Sequence, residues 1–230
     1  MNYNNPGSNS VLEESWTTLH HANHMAEAYR YRATQLTKWK RLRDFISLGV
    51  APGLLFATFV WDNSLLRTIL LVISGICSVS SWSWFIFGFS YNWDNQLRLS
   101  IDVPLKLKLI ISEIKEEIEV FTTAKQNQDN KAIEQTASKL KKLMQQVNSL
   151  NEDIDREQVY AKPWMNLMAQ QHTMRYQNGK CGSCYQEWIP GSEVFNSDNA
   201  KEFLKKAKQK KLKGRCESCG QKLPNESQIT

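Results

Sequence analysis

Two uncharged runs stand six residues apart in this chain: Phe45–Trp61, 17 residues long, and Thr68–Phe89, 22 residues long. A helix that crosses a bilayer needs about 20 consecutive apolar residues, with a range of roughly 17–25. The runs predict a membrane hairpin over 45–91, with spans at 45–61 and 66–89. The alternative is a buried hairpin in a soluble core, which would need a very large partner surface. Average composition hides all of this, because 41% hydrophobic and 23% charged residues describe an ordinary soluble chain.

The first run begins 44 residues in, and no cleavage-like site follows it, so neither run reads as a signal peptide. Lys38, Lys40, Arg41 and Arg43 crowd the entrance to the first span, and Arg98, Lys106 and Lys108 follow the second. The intervening loop carries only Asp62 and Arg67. The positive-inside rule then puts both termini in the cytoplasm, with the hairpin in the inner membrane and lipid as its first partner. Trp61, Trp82, Trp84 and Trp93 suit interfacial depths. In the first span Gly49, Gly53 and Ala57 form a ladder of small residues, and Pro52 beside it favours a bend; in the second, Ser74, Ser78 and Ser81 share a face. These ladders permit close packing within the hairpin or, in a homo-oligomer, between subunits, with the serines lining a polar path. With no charge inside either span, a transporter or proton relay is disfavoured.

Helical periodicity fills most of the rest. Residues 1–10 are polar with Pro and Gly and predict a disordered start. Ser10 with Glu13 forms a capping box, and Leu12, Trp16, Leu19, Asn23, Ala26, Ala33 and Leu36 define the seam of an amphipathic helix over 11–44. Pro104 suits the first turn of a helix whose seam is Leu107, Ile111, Ile114, Ile118 and Phe121. A turn at 126–130 leads to a second helix with Ile133, Ala137, Leu140, Met144, Val147, Asn151 and Ile154. The pair over 104–160 reads as an antiparallel helical hairpin or as a coiled coil between subunits. The fold class is therefore an all-α membrane protein with flanking amphipathic and coiled-coil helices.

The chain closes on a different vocabulary. Pro163 and the polar stretch around Asn178 and Gly179 mark a boundary. GKCGSC at 179–184 returns as GRCESC at 214–219. Cys181 with Cys184, and Cys216 with Cys219, give two turns that each present two thiolates to one ion. Facing one another, they complete the tetrahedral four-thiolate site preferred by structural Zn2+. A reducing cytoplasm disfavours the disulfide alternative, and two pairs without a βαβ pattern disfavour a redox dithiol. The module spans 176–224. Its 31-residue gap exceeds the usual zinc-ribbon spacing and must carry structure of its own: strand and turn in YQEWIPGSEVF, then a helix from about 198 to 213. Cys77 reads as a packing residue, His20 and His24 as exposed or interfacial, and His172 as a spare ligand.

Between Lys201 and Lys222 nine basic residues face two acidic ones, a net +7 against +6 for the whole chain. Lys201, Lys205, Lys206, Lys208, Lys210, Lys211 and Lys213 form a basic docking surface for anionic lipid, nucleic acid or a protein sensor, or else a merely solvated face.

The run AEAYRYRATQLTKWKRLRDFISLGVAP, the second span and the exit YNWDNQLRLS together resemble the SLATT proteins over residues 11–125. That resemblance implies a membrane effector of bacterial conflict and anti-phage defence, which oligomerises and forms a pore or otherwise disrupts the membrane once a partner senses infection. It carries no catalytic residue. The chain also lacks a phosphate-binding glycine loop, a nucleophile elbow and an acid/base constellation, so an enzyme is not expected. Two other readings compete with the effector: a membrane-tethered adaptor whose zinc module binds nucleic acid or protein, and a membrane-shaping hairpin scaffold.

Overall fold

The computed structural model describes residues 6–60, 64–90, 93–156, 160–176, 179–181, 183–209 and 214–223. Among these the regular elements are all helices, and one isolated antiparallel bridge joins Arg215 to Lys222. In order they are α1 (Pro6–Phe45), a π-helical turn (Ile46–Val50), α2 (Ala51–Val60), α3 (Ser64–Ser90), α4 (Trp93–Gln126), α5 (Asn130–Arg156), α6 (Pro163–Tyr176) and α7 (Ser197–Lys208). The chain divides into two units, one from Met1–Arg32 with Ser100–Thr230 and one from Ala33–Leu99.

The first unit has the burial pattern of a water-soluble bundle. Leu107, Ile111, Ile114, Ile118 and Phe121 of α4 are buried, as are Leu140, Met144, Val147 and Ile154 of α5. Each large aliphatic or aromatic side chain so buried contributes about 1.5–3 kcal/mol. A turn at 127–129 reverses the chain, with Gln128 in the left-handed region at φ 57°. Lys139 Nζ meets Glu117 Oε1 at 2.9 Å, and these residues are equidistant from Gln128, which fixes α4 and α5 as an antiparallel pair within one chain. Helix α1 joins them: Ser15 Oγ donates to Met144 Sδ at 3.8 Å.

The second unit is inverted in character. Helices α2 and α3 pack on each other and bury Thr58 and Ser74, while Leu48, Phe56, Phe59, Leu65, Val72, Ile76, Val79 and Trp82 are exposed. Among the described residues one helix, within Ser10–Val60, is long and apolar enough to cross a membrane, and only 6% of that apolar window is buried. Helix α3 is apolar over Ser64–Ser80. The π-helical turn ends two residues before Pro52. Proline lacks an N–H and its ring crowds the carbonyl four residues back, so a widened turn accommodates it.

Several expectations change. Helix α1 starts at Pro6 rather than after a disordered 1–10, since proline is well suited to a first helical turn; residues 1–5 lie outside the described set. Its buried seam is Val11, Ser15, Leu19, Ala22, Ala26 and Tyr29, leaving Trp16 exposed and Leu12 half-buried. Pro104 does not open a helix but lies inside α4, buried between Val103 and Leu107, where packing offsets its cost of about 3 kcal/mol. Pro163 begins the unexpected α6. The segment 185–195 forms no strand, because its backbone is committed to a knuckle and to side chains of α6. Helix α7 ends at Lys208, and residues 210–213 lie outside the described set.

Candidate metal centre

The internal repeat is longer in three dimensions than in the letters. Cys181 N donates to Gln186 O at 2.9 Å and Tyr185 N to Cys181 O at 2.8 Å; Cys216 N donates to Gln221 O at 2.8 Å and Gly220 N to Cys216 O at 2.7 Å. Each bond has its twin 35 residues on. The aligned stretches are therefore GKCGSCYQEW (179–188) and GRCESCGQKL (214–223), in which glutamine recurs after each pair. Ser183 Oγ and Ser218 Oγ, equivalent in the repeat, hydrogen-bond at 2.6 Å where the two knuckles meet.

This pairing brings the four expected ligands together. Cys181, Cys184, Cys216 and Cys219 place their sulfurs within 4.8 Å of one another. Cys181 Sγ lies 3.8 Å from Cys216 Sγ, and Cys184 Sγ 3.7 Å from Cys219 Sγ. A tetrahedron of thiolates at metal–sulfur distances of about 2.3 Å has sulfur–sulfur edges of about 3.8 Å. The cluster could hold one metal ion. Cys181, Cys216 and Cys219 are buried and Cys184 is half-buried, so the set is enclosed on most sides.

The thiols are electrostatically unequal. A hydrogen bond from Cys219 pulls Cys181 down to about 4. The same bond, with burial, pushes Cys219 up, and burial pushes Cys184 up to about 11. One thiolate forms readily and resists the ionisation of its neighbours. A cation changes this balance by replacing the shared protons.

Helix α6, absent from the sequence expectation, organises the surroundings. Gln171 is buried, yet its amide is fully used: Nε2 donates to Cys219 O at 2.9 Å and Glu193 O at 3.1 Å, and Oε1 accepts from Phe195 N at 2.9 Å. One side chain thus ties the second knuckle and the intervening loop to α6. Gln221, also buried, has its amide between Glu187 O at 3.1 Å and Ile189 N at 3.0 Å, and with its nitrogen turned to the first and its oxygen to the second it ties the second knuckle to the first. Met174 and Trp188 pack on the cysteines, and Leu167, Phe195, Ala200 and Phe203 form a second small core with Trp164. Helix α7 starts with a capping box in which Asn196 accepts from Asp198 N and Asn199 N. Ahead of the first knuckle, Gly179 is buried, and a Cβ there would meet Thr173 Cγ2 at 3.1 Å and His20 Nδ1 at 3.2 Å. His24 Nε2 bonds Asn166 O at 3.1 Å. His24 is therefore a tether between α1 and α6 rather than an interfacial group, and burial lowers its basicity. His172 packs at a tilt against Tyr176 with centroids 4.8 Å apart and is not among the clustered ligands.

The remaining predicted residues do not gather at this centre. Lys201, Lys205, Lys206 and Lys208 are exposed on α7; Lys206 pairs with Glu202 at 2.7 Å and Lys201 with Asp198 at 3.4 Å. Lys210, Lys211 and Lys213 lie outside the described residues. In the other unit, among the described residues, a Cβ at Gly53 would meet nothing within 4 Å beyond its own helix backbone, and one at Gly49 would meet the Phe45 ring at 3.9 Å. Ala57 and Ser78 are half-buried and Ser74 is buried; Ser81 falls on α3 with its side chain outside the described set.

No family model, curated protein or solved structure matches this chain.

Proposed function

We propose that the chain is a bacterial membrane effector of the kind its SLATT-like sequence implies. In this reading 45–61 and 66–89 span the inner membrane as a hairpin, both termini are cytoplasmic, and hairpins from several copies associate to permeabilise the bilayer. The supporting observation is the inverted surface of α2 and α3. The helices that are the most apolar in the chain bury almost none of that apolarity, at a cost in water of about 25 cal/mol per Å2. Lipid removes that cost. A core helix of a soluble protein would be mostly buried, and this one is not.

Association draws support from the glycines. Among the described residues, a Cβ at Gly53 or Gly75 would meet nothing within 4 Å beyond its own helix backbone, which leaves room there for the close approach of another copy. The four-cysteine cluster is the Zn2+ site of this reading. Its ion is structural, because four thiolates leave no open position. The knuckles and α7 form the cytoplasmic end through which a trigger acts.

The experiment is uptake of a potential-sensitive dye by bacteria expressing the protein with its neighbouring genes. Wild type depolarises the membrane, and Gly53→Leu, expressed to the same level and folded, does not. An intact potential under every induction refutes the effector reading and leaves a tethered adaptor.

A further inference from the structure

The two knuckles share their backbone hydrogen bonds but differ at five of ten aligned positions, and one of these differences is conformationally unexpected. After the second cysteine pair the chain passes through the left-handed region at Gly220, φ 76°. At the equivalent place in the first knuckle stands Tyr185, φ 57°. Glycine takes this conformation freely, whereas a bulky aromatic residue there is an outlier. The second knuckle shows what the fold alone calls for. Nor does Tyr185 recover the strain by packing, since it is 77% exposed. A strained residue that presents its ring to solvent is a mark of function rather than of folding.

The surroundings define the ligand class. Trp188, three residues on and so within about 11 Å of Tyr185, is leucine in the twin. The Arg175 guanidinium lies 5.4 Å from the Trp188 ring and 4.9 Å from the Tyr176 ring. Tyr176 is itself exposed. Lys180 stands beside Cys181 at the knuckle's entry, exposed and paired to Glu187 at 3.6 Å. The first knuckle and the adjoining end of α6 therefore carry three aromatic rings, Tyr176, Tyr185 and Trp188, with Arg175 and Lys180 beside them, whereas the second knuckle keeps a cation at Arg215 but has Gly220 and Leu223 in place of Tyr185 and Trp188.

We infer that the first knuckle binds single-stranded nucleic acid, with unpaired bases stacking on Tyr185 and on the Trp188–Arg175–Tyr176 pile, and with Lys180 and the lysines of α7 following the phosphates. Planar faces flanked by cations suit unstacked bases, which every single strand offers and a duplex conceals. An anionic bilayer needs the charge but not a strained, projecting ring. The inference deepens the proposed role of the cytoplasmic end and rests on the metal centre being formed; it does not depend on what the hairpin does.

The test uses the full-length protein in phosphatidylcholine nanodiscs, with zinc content measured on each sample. Anisotropy of a labelled oligothymidylate of about 20 nucleotides gives the affinity, with a matched duplex alongside. The single strand binds and the duplex binds more weakly. Tyr185→Gly keeps its zinc and its melting temperature, because it installs the twin's residue, yet binds about tenfold more weakly, as loss of one stacked base requires. Tyr185→Phe stays within about twofold of wild type, because the ring is kept. Equal affinity of wild type and Tyr185→Gly, or no binding by zinc-replete wild type, overturns the inference. So does protection of residues 179–188 from hydrogen exchange by phosphatidylserine in the disc without any by the oligonucleotide, which assigns the face to lipid. A sample without zinc instead refutes the metal reading, so the two failures are distinguishable.

Discussion

Helices α4 and α5 and helices α2 and α3 are two antiparallel helix pairs in one chain, and they solve opposite problems. The first pair hides Phe121, Leu107 and Leu140 and shows lysines and glutamates; the second shows Phe56, Phe59 and Val72 and hides Thr58 and Ser74. Each helix follows the same backbone rules. In the proposed membrane reading, what differs is the medium each sequence is matched to: where water is the solvent, apolar residues form a stripe and polar ones the rest, and where lipid is the solvent, apolarity runs all round. The contrast also says where substitutions will hurt.

The largest effect falls on neither pair but on the metal centre that joins α6 to the two knuckles. If the cluster holds zinc as proposed, Cys216→Ser removes one of its four ligands and with it much of the roughly 10–16 kcal/mol that structural zinc supplies to small modules. Zinc retained per chain should fall from one to near zero, and protease cleavage should appear within 179–223 while the α4–α5 pair stays resistant. Retention of stoichiometric zinc by this variant would break the assignment of the centre.

Next comes the direct comparison. Phe121→Ala empties a fully buried site and should destabilise the first unit by about 3–5 kcal/mol. Phe59→Ala, on a 77% exposed side chain, should leave the fold in detergent within about 0.5 kcal/mol. Denaturant melts of both in the same micelle decide it. Equal losses would mean that Phe59 is packed in the assembled protein, which would sharpen the comparison by exposing an interface between copies.

A smaller effect separates the knuckles. A Cβ at Gly220 would strike the Phe195 ring, and φ there is positive. Gly220→Ala should therefore cost about 2 kcal/mol through strain and overpacking, while Tyr185→Gly should cost nothing. Thermal melts of the zinc-loaded variants measure both. If the order were reversed, the two knuckles would not be structural twins.

Legibility in the sequence followed how local each signal was. The four cysteines, the seam of α4 and the reversal near Gln128 were readable because spacing or periodicity alone specifies them. The register of α1 was misread at Leu12 and Trp16, since a helix with apolar residues on several faces leaves the choice of seam to its neighbours. Pro104 and α6 were misread because tertiary packing outweighed a local start signal at the first and supplied the missing amphipathic context at the second. Gln171 gave no signal at all, as a glutamine in a helix becomes a hub only when three backbone partners from elsewhere converge on it. The glutamine at 186 and 221 was visible, however, and extending the comparison of the two C-x2-C phrases by two residues would have found both it and the Tyr185–Gly220 difference.

The smallest effect belongs to His24, which ties α1 to α6 through Asn166 O. Burial is the largest influence on it and holds its folded pKa below the ordinary 6.5, against a weaker raising effect of the bond to Asn166. A base with a lowered folded pKa binds more protons when unfolded, so stability is complete above about pH 6.5 and declines as pH falls from there toward the folded value. His24→Gln keeps a donor for Asn166 O but cannot titrate. Between about pH 7.5 and 5.5 its melting temperature should fall less than that of wild type. Acid also protonates the metal-binding thiolates, but it does so in both proteins, so the difference between the two curves isolates the histidine. Parallel curves would show that His24 keeps its proton equilibrium on folding.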